Sequence, residues 1–137
     1  MRIFRTILAA ALIAVASAAF AAQPVGVNQL GGSFAAVAPS ATGVTTILAA
    51  ASNTKGCWLR SAHVFMGASG LIELYVDTAA PTGTNDTTKR SILSAVGATG
   101  ATIFPGPLWL PSGIGIFVAT NASATGPYAA ATWDCAS

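Results

Sequence analysis

After residue 22 the chain is a series of short apolar runs separated by clusters of Gly, Pro, Asn and Ser, and no stretch keeps a 3.6-residue period over three turns. The cleanest run is residues 71–77, where Ile72, Leu74 and Val76 alternate with Glu73, Tyr75 and Asp77. A period of two turns the first three toward a core and leaves the second three on an exposed strand face. Residues 57–66 alternate less cleanly. Trp58, Arg60, Ala62, Val64 and Met66 share one face and Cys57, Leu59, Ser61, His63 and Phe65 the other, as in a strand partly covered on both sides. With only Gly67-Ala68-Ser69-Gly70 between them, these two runs predict a β-hairpin around which the rest of the chain is organised. Residues 114–120 predict another strand, with Ile114, Ile116 and Val118 opposite Phe117, and residues 43–51, 91–96 and 128–135 predict further ones, while Leu108-Trp109-Leu110 is a brief apolar piece before Pro111-Ser112-Gly113. Residues 78–90 read as a long polar loop, and Pro105-Gly106-Pro107 must leave any ladder because proline has no N–H to donate.

Short strands at near-regular spacing, without a linker or an internal repeat, predict an all-β fold. The expectation is a single antiparallel β-sandwich or jelly-roll-like domain of about seven to nine strands, spanning residues 44–137. Residues 23–43 precede it as an extended N-terminal arm or edge strand, broken by Pro24 and Gly31-Gly32. Residues 1–22 have the form of a signal peptide: basic Arg2 and Arg5, an apolar run over 7–19, and the small-x-small triplet Ala19-Phe20-Ala21. The run is shorter than the roughly 20 residues that span a bilayer. Cleavage after Ala21 or Ala22 is therefore expected, leaving an exported protein (periplasmic, extracellular or on a virion surface) with no stable membrane anchor.

Cleavage changes the charge. Lys55, Arg60, Lys89 and Arg90 remain against Glu73, Asp77, Asp86 and Asp134, so the net charge falls to zero. There is no basic stripe, which argues against a nucleic-acid partner. A surface poor in charge and neutral overall favours association, so protein partners or self-assembly are expected. Cys57 and Cys135, an even pair in an exported chain, predict one structural disulfide. Closing so long a loop is worth about 4 to 4.5 kcal/mol in chain entropy.

Candidate chemistry is sparse. His63, the single histidine, sits in mid-strand and would need a distant serine and acid to act as a base, so it reads as structural. Glu73 and Asp77 are four positions apart on one strand, about 13 Å, beyond the roughly 5 to 10 Å at which two carboxylates cooperate in glycoside hydrolysis. Two thiols and one imidazole are too few for structural zinc. Asp77, Asp86 and the intervening hydroxyls lack EF-hand spacing, and a solvated loop accounts for them equally well. Asn85-Asp86-Thr87 and Asn121-Ala122-Ser123 match the glycosylation sequon, which matters only in a eukaryotic secretory pathway, whereas the leader reads as bacterial. These residues predict no enzyme, no metal and no cofactor. Trp58, Tyr75, Trp109, Tyr128 and Trp133 would make a sugar-stacking platform if some shared an exposed face. With eleven aromatic residues in the chain, most are needed in the core. Trp109, in the proline-rich excursion, and Tyr75, on the polar face of its strand, are the candidate ligand contacts, and Trp133 reads as packing over the disulfide.

Three segments carry a resemblance. They are Ala51-Ser52-Asn53-Thr54-Lys55-Gly56 leading into Leu59-Arg60-Ser61-Ala62, then Leu74-Tyr75-Val76-Asp77-Thr78-Ala79-Ala80-Pro81-Thr82, and Leu110-Pro111-Ser112-Gly113-Ile114-Gly115-Ile116-Phe117-Val118. In this order they are similar to small β-sandwich proteins encoded by tailed phages and prophages, over about residues 44–134. The resemblance implies a non-enzymatic virion or virion-associated module; the signal peptide and the cysteine pair depart from that pattern. The expected function is thus that of a non-catalytic structural or interaction protein. The alternatives are a module binding carbohydrate or another cell-surface ligand, and a pilin-like subunit whose 23–39 arm pairs with a neighbour's sheet edge.

Overall fold

The computed structural model describes residues 32–39, 42–97, 101–103, 107–122 and 124–137; the expected signal peptide and the first part of the arm lie outside them. The described residues form nine strands: β1 (Ser33–Val37), β2 (Gly43–Leu48), β3 (Cys57–Phe65), β4 (Leu71–Asp77), β5 (Ser91–Val96), β6 (Ala101–Ile103), β7 (Leu108–Leu110), β8 (Gly115–Thr120) and β9 (Tyr128–Cys135). They build two antiparallel sheets. The larger has the order β1-β9-β3-β6, with β7 pairing the other end of the same β3 edge, and the smaller has the order β2-β8-β4-β5. Side chains from both sheets meet in one core, in which Leu59, Val64, Met66, Leu110 and Trp133 face Ile72, Leu74, Val76, Ile116 and Val118. The fold is a β-sandwich.

The expected hairpin does not form. β3 lies in the larger sheet between β9 and β6/β7, whereas β4 lies in the smaller sheet between β8 and β5. The Gly67–Gly70 link steps across the sandwich and gives its hydrogen bonds to the 125–126 turn: Gly67 N–H to Gly126 O at 3.2 Å, Ala68 N–H to Thr125 O at 3.1 Å, and Thr125 N–H to Ser69 O at 3.0 Å. The physical reason is burial. Both strands carry an apolar face, and in adjacent sheets those faces oppose one another across the core instead of lying side by side.

The face assignment of β3 also changes along its length. Leu59 pairs with Trp133 and Ser61 with Thr132, so Arg60 is an extra residue in a β-bulge. Cys57 and Leu59 point inward before the bulge, Ala62, Val64 and Met66 after it, all at most 1% exposed. Trp58, Ser61, His63 and Phe65 take the outer face. The untidy alternation of residues 57–66 is the trace of this bulge, which swaps the two faces halfway along.

A second correction concerns the polar face of β4. Glu73 and Tyr75 are buried, and Tyr75, Phe117 and Ala119 form a small cluster outside the main core. The 78–90 loop folds back over them, anchored by the Asn85 and Asp86 amides, so the loop is a cover for the smaller sheet.

Candidate functional site

The outer face of the larger sheet collects the exposed aromatic residues. Phe34 on β1, Trp58 on β3, Trp109 on β7 and Tyr128 on β9 are 64, 42, 41 and 38% exposed. The other exposed large apolar residues among those described, Val44 and Val96, are aliphatic and lie on the smaller sheet. Cross-strand register explains the grouping. Trp58 pairs with Asp134 on one side and Trp109 on the other, Ser61 with Thr132, His63 with Ala130, Phe65 with Tyr128, and Phe34 with Thr132. The small side chains of Ser61, Ala130 and Thr132 leave a shallow groove of about 210 Å³, bounded by Phe34 and His63.

Three arrangements fix this face. The Trp58 and Trp109 rings pack at 5.2 Å between centroids, tilted by 58°. Trp109 also rests on Gly56, where φ is +100° and any Cβ would lie 2.2 Å from the indole ring. Beside the pair, Arg60 Nε donates to Asp134 Oδ2 at 2.8 Å, while the Gly32 amide donates to Asp134 Oδ1. The Gly32 amide first, and then Arg60, hold the Asp134 carboxyl below the usual carboxylate range. Farther along, the Ser61 and Thr132 hydroxyls are 2.7 Å apart, and His63 meets Tyr128 edge-on at 6.1 Å. The Arg60–Asp134 pair neutralises itself, and no other Lys, Arg, Asp or Glu points from the described strands to this face. It is a broad aromatic surface without net charge.

The Trp row is held from below. Cys57 and Cys135 are directly opposed on β3 and β9 and disulfide-bonded, one register step from Trp58 and Asp134. Asn53, buried in the turn before β3, donates from Nδ2 to Pro111 O at 2.8 Å and Ile114 O at 2.9 Å, and accepts the Gly56 N–H at 2.8 Å. It thereby ties the end of β7 to the start of β3. Its place in a polar turn gave no sign of this role.

Of the five aromatic residues singled out in the sequence, the structure brings Trp58, Trp109 and Tyr128 onto one face. Trp133 is buried in the core, paired in register with Leu59. Tyr75, the other candidate ligand contact, is 1% exposed and does not join that face: its hydroxyl donates to Glu73 Oε2 at 2.7 Å and accepts the Asp86 N–H at 3.2 Å. Burial, with the Glu73 hydrogen bond next, pushes the Tyr75 hydroxyl up to about 12. Phe34, Phe65 and His63 join the outer face without having been singled out for it. Only strand pairing, which the sequence does not display, brings them there.

The carboxylates around the 78–90 loop are engaged in holding it. Asp86 accepts from Thr88 (Oγ1 at 2.6 Å, N at 3.0 Å) and from Thr82 (N at 2.9 Å, Oγ1 at 3.1 Å), and these donors hold it well below the usual range. Asp77 is pushed up by burial, but the amides of Thr78 and Arg90, the Thr78 hydroxyl and nearby Lys89 outweigh that and lower it. Among the described residues no three His, Cys, Asp or Glu side chains gather as a metal site. No described helix is long and apolar enough to cross a membrane.

No protein-family model matches the chain, and no curated protein matches its sequence. Among solved structures, the chain is similar to the cryo-EM structure of the virus-like particle of extra small virus of the giant freshwater prawn Macrobrachium rosenbergii. The identity is 11% and the TM-score 0.40, over 77% of this chain and 78% of that one.

Proposed function

We propose that this is an exported, non-catalytic contact protein, and that the outer face of the larger sheet is the surface it works through. One observation carries the reading: Phe34, Trp58, Trp109 and Tyr128 are all exposed, and all on that face. Exposing so much aromatic surface in one patch is unfavourable unless something covers it. The absence of net charge there suits a neutral partner surface. Export is supported by the leader-like residues 1–22 and by the disulfide, which persists in oxidising compartments. The resemblance to phage-encoded β-sandwich proteins points to the same class and adds virion surfaces to the places where such contacts are made.

The pilin-like alternative gains no support from β1. Ser33–Val37 pairs along its whole length with β9 of its own sheet, so this part of the arm is not held out for a neighbour. Deleting residues 23–39 would strip β9 of one of its two partner strands, so the better test changes the face alone. Phe34→Ser with Tyr128→Ser should keep the circular dichroism spectrum while lowering retention on a phenyl matrix and abolishing any self-association seen by light scattering. Unchanged retention and unchanged mass would overturn the reading.

A further inference from the structure

The Trp58–Trp109 end of the face has features that the rest lacks. Two indole rings are tilted against each other at 5.2 Å, one seated on Gly56, with a guanidinium and a carboxylate alongside. The rings are fixed before any ligand arrives: both come from paired strands, the disulfide fastens the next register step, and Asn53 ties β7 to the start of β3. Binding would therefore cost little side-chain entropy. The π face of an indole is electron-rich and attracts weakly positive C–H groups, which the apolar face of a pyranose ring presents. The Arg60–Asp134 bond uses Nε, so the four N–H donors of the two Nη groups are left over from it, beside the rings, to meet hydroxyl oxygens. Because Asp134 cancels the charge of Arg60, the site has no attraction for an anionic sugar.

We propose that Trp58, Trp109 and Arg60 form a carbohydrate subsite for a neutral pyranose, stacked on the indole pair and hydrogen-bonded by the guanidinium. The proposal rests on the reading of the outer face as the contact surface and names the partner at one end of it. Trp58 and Trp109 supply the stacking, and Arg60 sets orientation through donors that a stacked hexose reaches with its ring hydroxyls. Asp134 is a positioning residue that holds the guanidinium in place.

The test uses the purified, oxidised protein and four neutral hexasaccharides (cello-, malto-, laminari- and chitohexaose), with hexagalacturonate as the acidic contrast. Titration is followed by ¹H–¹⁵N spectra of the three indole N–H groups. The expected result is saturable binding of at least one neutral sugar, shifting the Trp58 and Trp109 indole signals while that of buried Trp133 stays in place. Trp109→Ala or Trp58→Ala should weaken it at least tenfold and Arg60→Gln severalfold, and Val96→Ala, on the other sheet, should leave it unchanged. The wild-type spectra decide the matter even if a tryptophan variant fails to fold. Absence of binding by all four neutral sugars, or tighter binding of the acidic one, overturns the proposal. If no sugar binds but Phe34→Ser with Tyr128→Ser dissociates a self-association, the contact reading stands with a second copy as the partner; if neither happens, both fall.

Discussion

At Asn53 one side chain satisfies the Gly56 amide and the carbonyls of Pro111 and Ile114, groups that no strand ladder reaches. Truncation to Ala takes this partner from the buried Gly56 amide and from the Ile114 carbonyl, while Pro111 O keeps the Ile114 N–H at 3.2 Å, and each lost partner costs about 1 to 3 kcal/mol. Asn53→Ala should therefore destabilise by about 3 kcal/mol in urea unfolding, whereas Thr54→Ala, next to it and exposed, should stay within about 0.5 kcal/mol. The same segment loosens around Trp109, so the exposed tryptophan fluorescence of Asn53→Ala should shift to the red before global unfolding. Tyr75 makes a prediction of opposite type. Its hydroxyl titrates at about 12 instead of 10.0, so the folded state prefers the protonated form. The sign follows: stability from this group is full below the unfolded value near pH 10 and is lost as pH rises through about 12. Alkaline unfolding should steepen across that window, and Tyr75→Phe should remove the steepening at a cost of about 1 kcal/mol near neutrality.

Among the elements, what was legible was local and what was hidden was pairing. Ile72, Leu74 and Val76 are 0% exposed, as the two-residue period of β4 requires, because an antiparallel strand with one apolar face has only one way to turn it. β8 was readable for the same reason. The partner of each strand was not readable, because Gly67–Gly70 is short enough for a hairpin and long enough for a step between sheets, and core burial decides between them. The bulge at Arg60 was hidden too, since one extra residue in an alternating run looks like noise until the opposite strand supplies its register. Removing it makes a sharp test. Deleting Arg60 leaves a strictly alternating strand in which Cys57, Leu59, Ala62 and Val64 still face inward and keep their β9 partners. That variant should still unfold cooperatively, whereas deleting Arg60 and Ser61 together, which turns Cys57 and Leu59 to the opposite face from Ala62 and Val64, should lose the cooperative transition. The 78–90 loop was legible as polar but not as a cover. Its carboxylates are matched to backbone and hydroxyl donors several positions along the same loop, and it shields Tyr75 and Phe117 only once the smaller sheet exists.

For the molecule as a whole, the disulfide and the carboxylates decide where it can stay folded. Cys57 and Cys135 are 78 residues apart in sequence, and cross-linking so distant a pair limits the unfolded chain by about 4.5 kcal/mol in loop entropy. Single domains are stable by only about 5 to 15 kcal/mol in all, so the protein without this bond is marginal and its outer face loses the fastening beside Trp58 and Asp134. The double variant Cys57→Ala with Cys135→Ala should shift the urea midpoint to well under two-thirds of the oxidised value. Asp77, Asp86 and Asp134 all have their carboxyls lowered in the fold. Depressed values mean that their contribution is present above about pH 4 and lost as pH falls below it, when protonation releases the loop donors and the Gly32 and Arg60 contacts. Acid unfolding should accordingly begin below about pH 4, with the 78–90 loop and the Gly32–Asp134 contact going first in hydrogen exchange. Glu73→Gln keeps an acceptor for Tyr75 and Asn85 and should leave that onset in place. In Asp134→Asn a single oxygen is left to accept from either the Gly32 amide or Arg60, and that bond no longer depends on an ionised carboxyl, so the pH-dependent early loss should be confined to the loop. An onset that moves with Glu73→Gln but not with Asp134→Asn would mean that the cluster under the loop, and not the donors to the three aspartates, sets the acid limit.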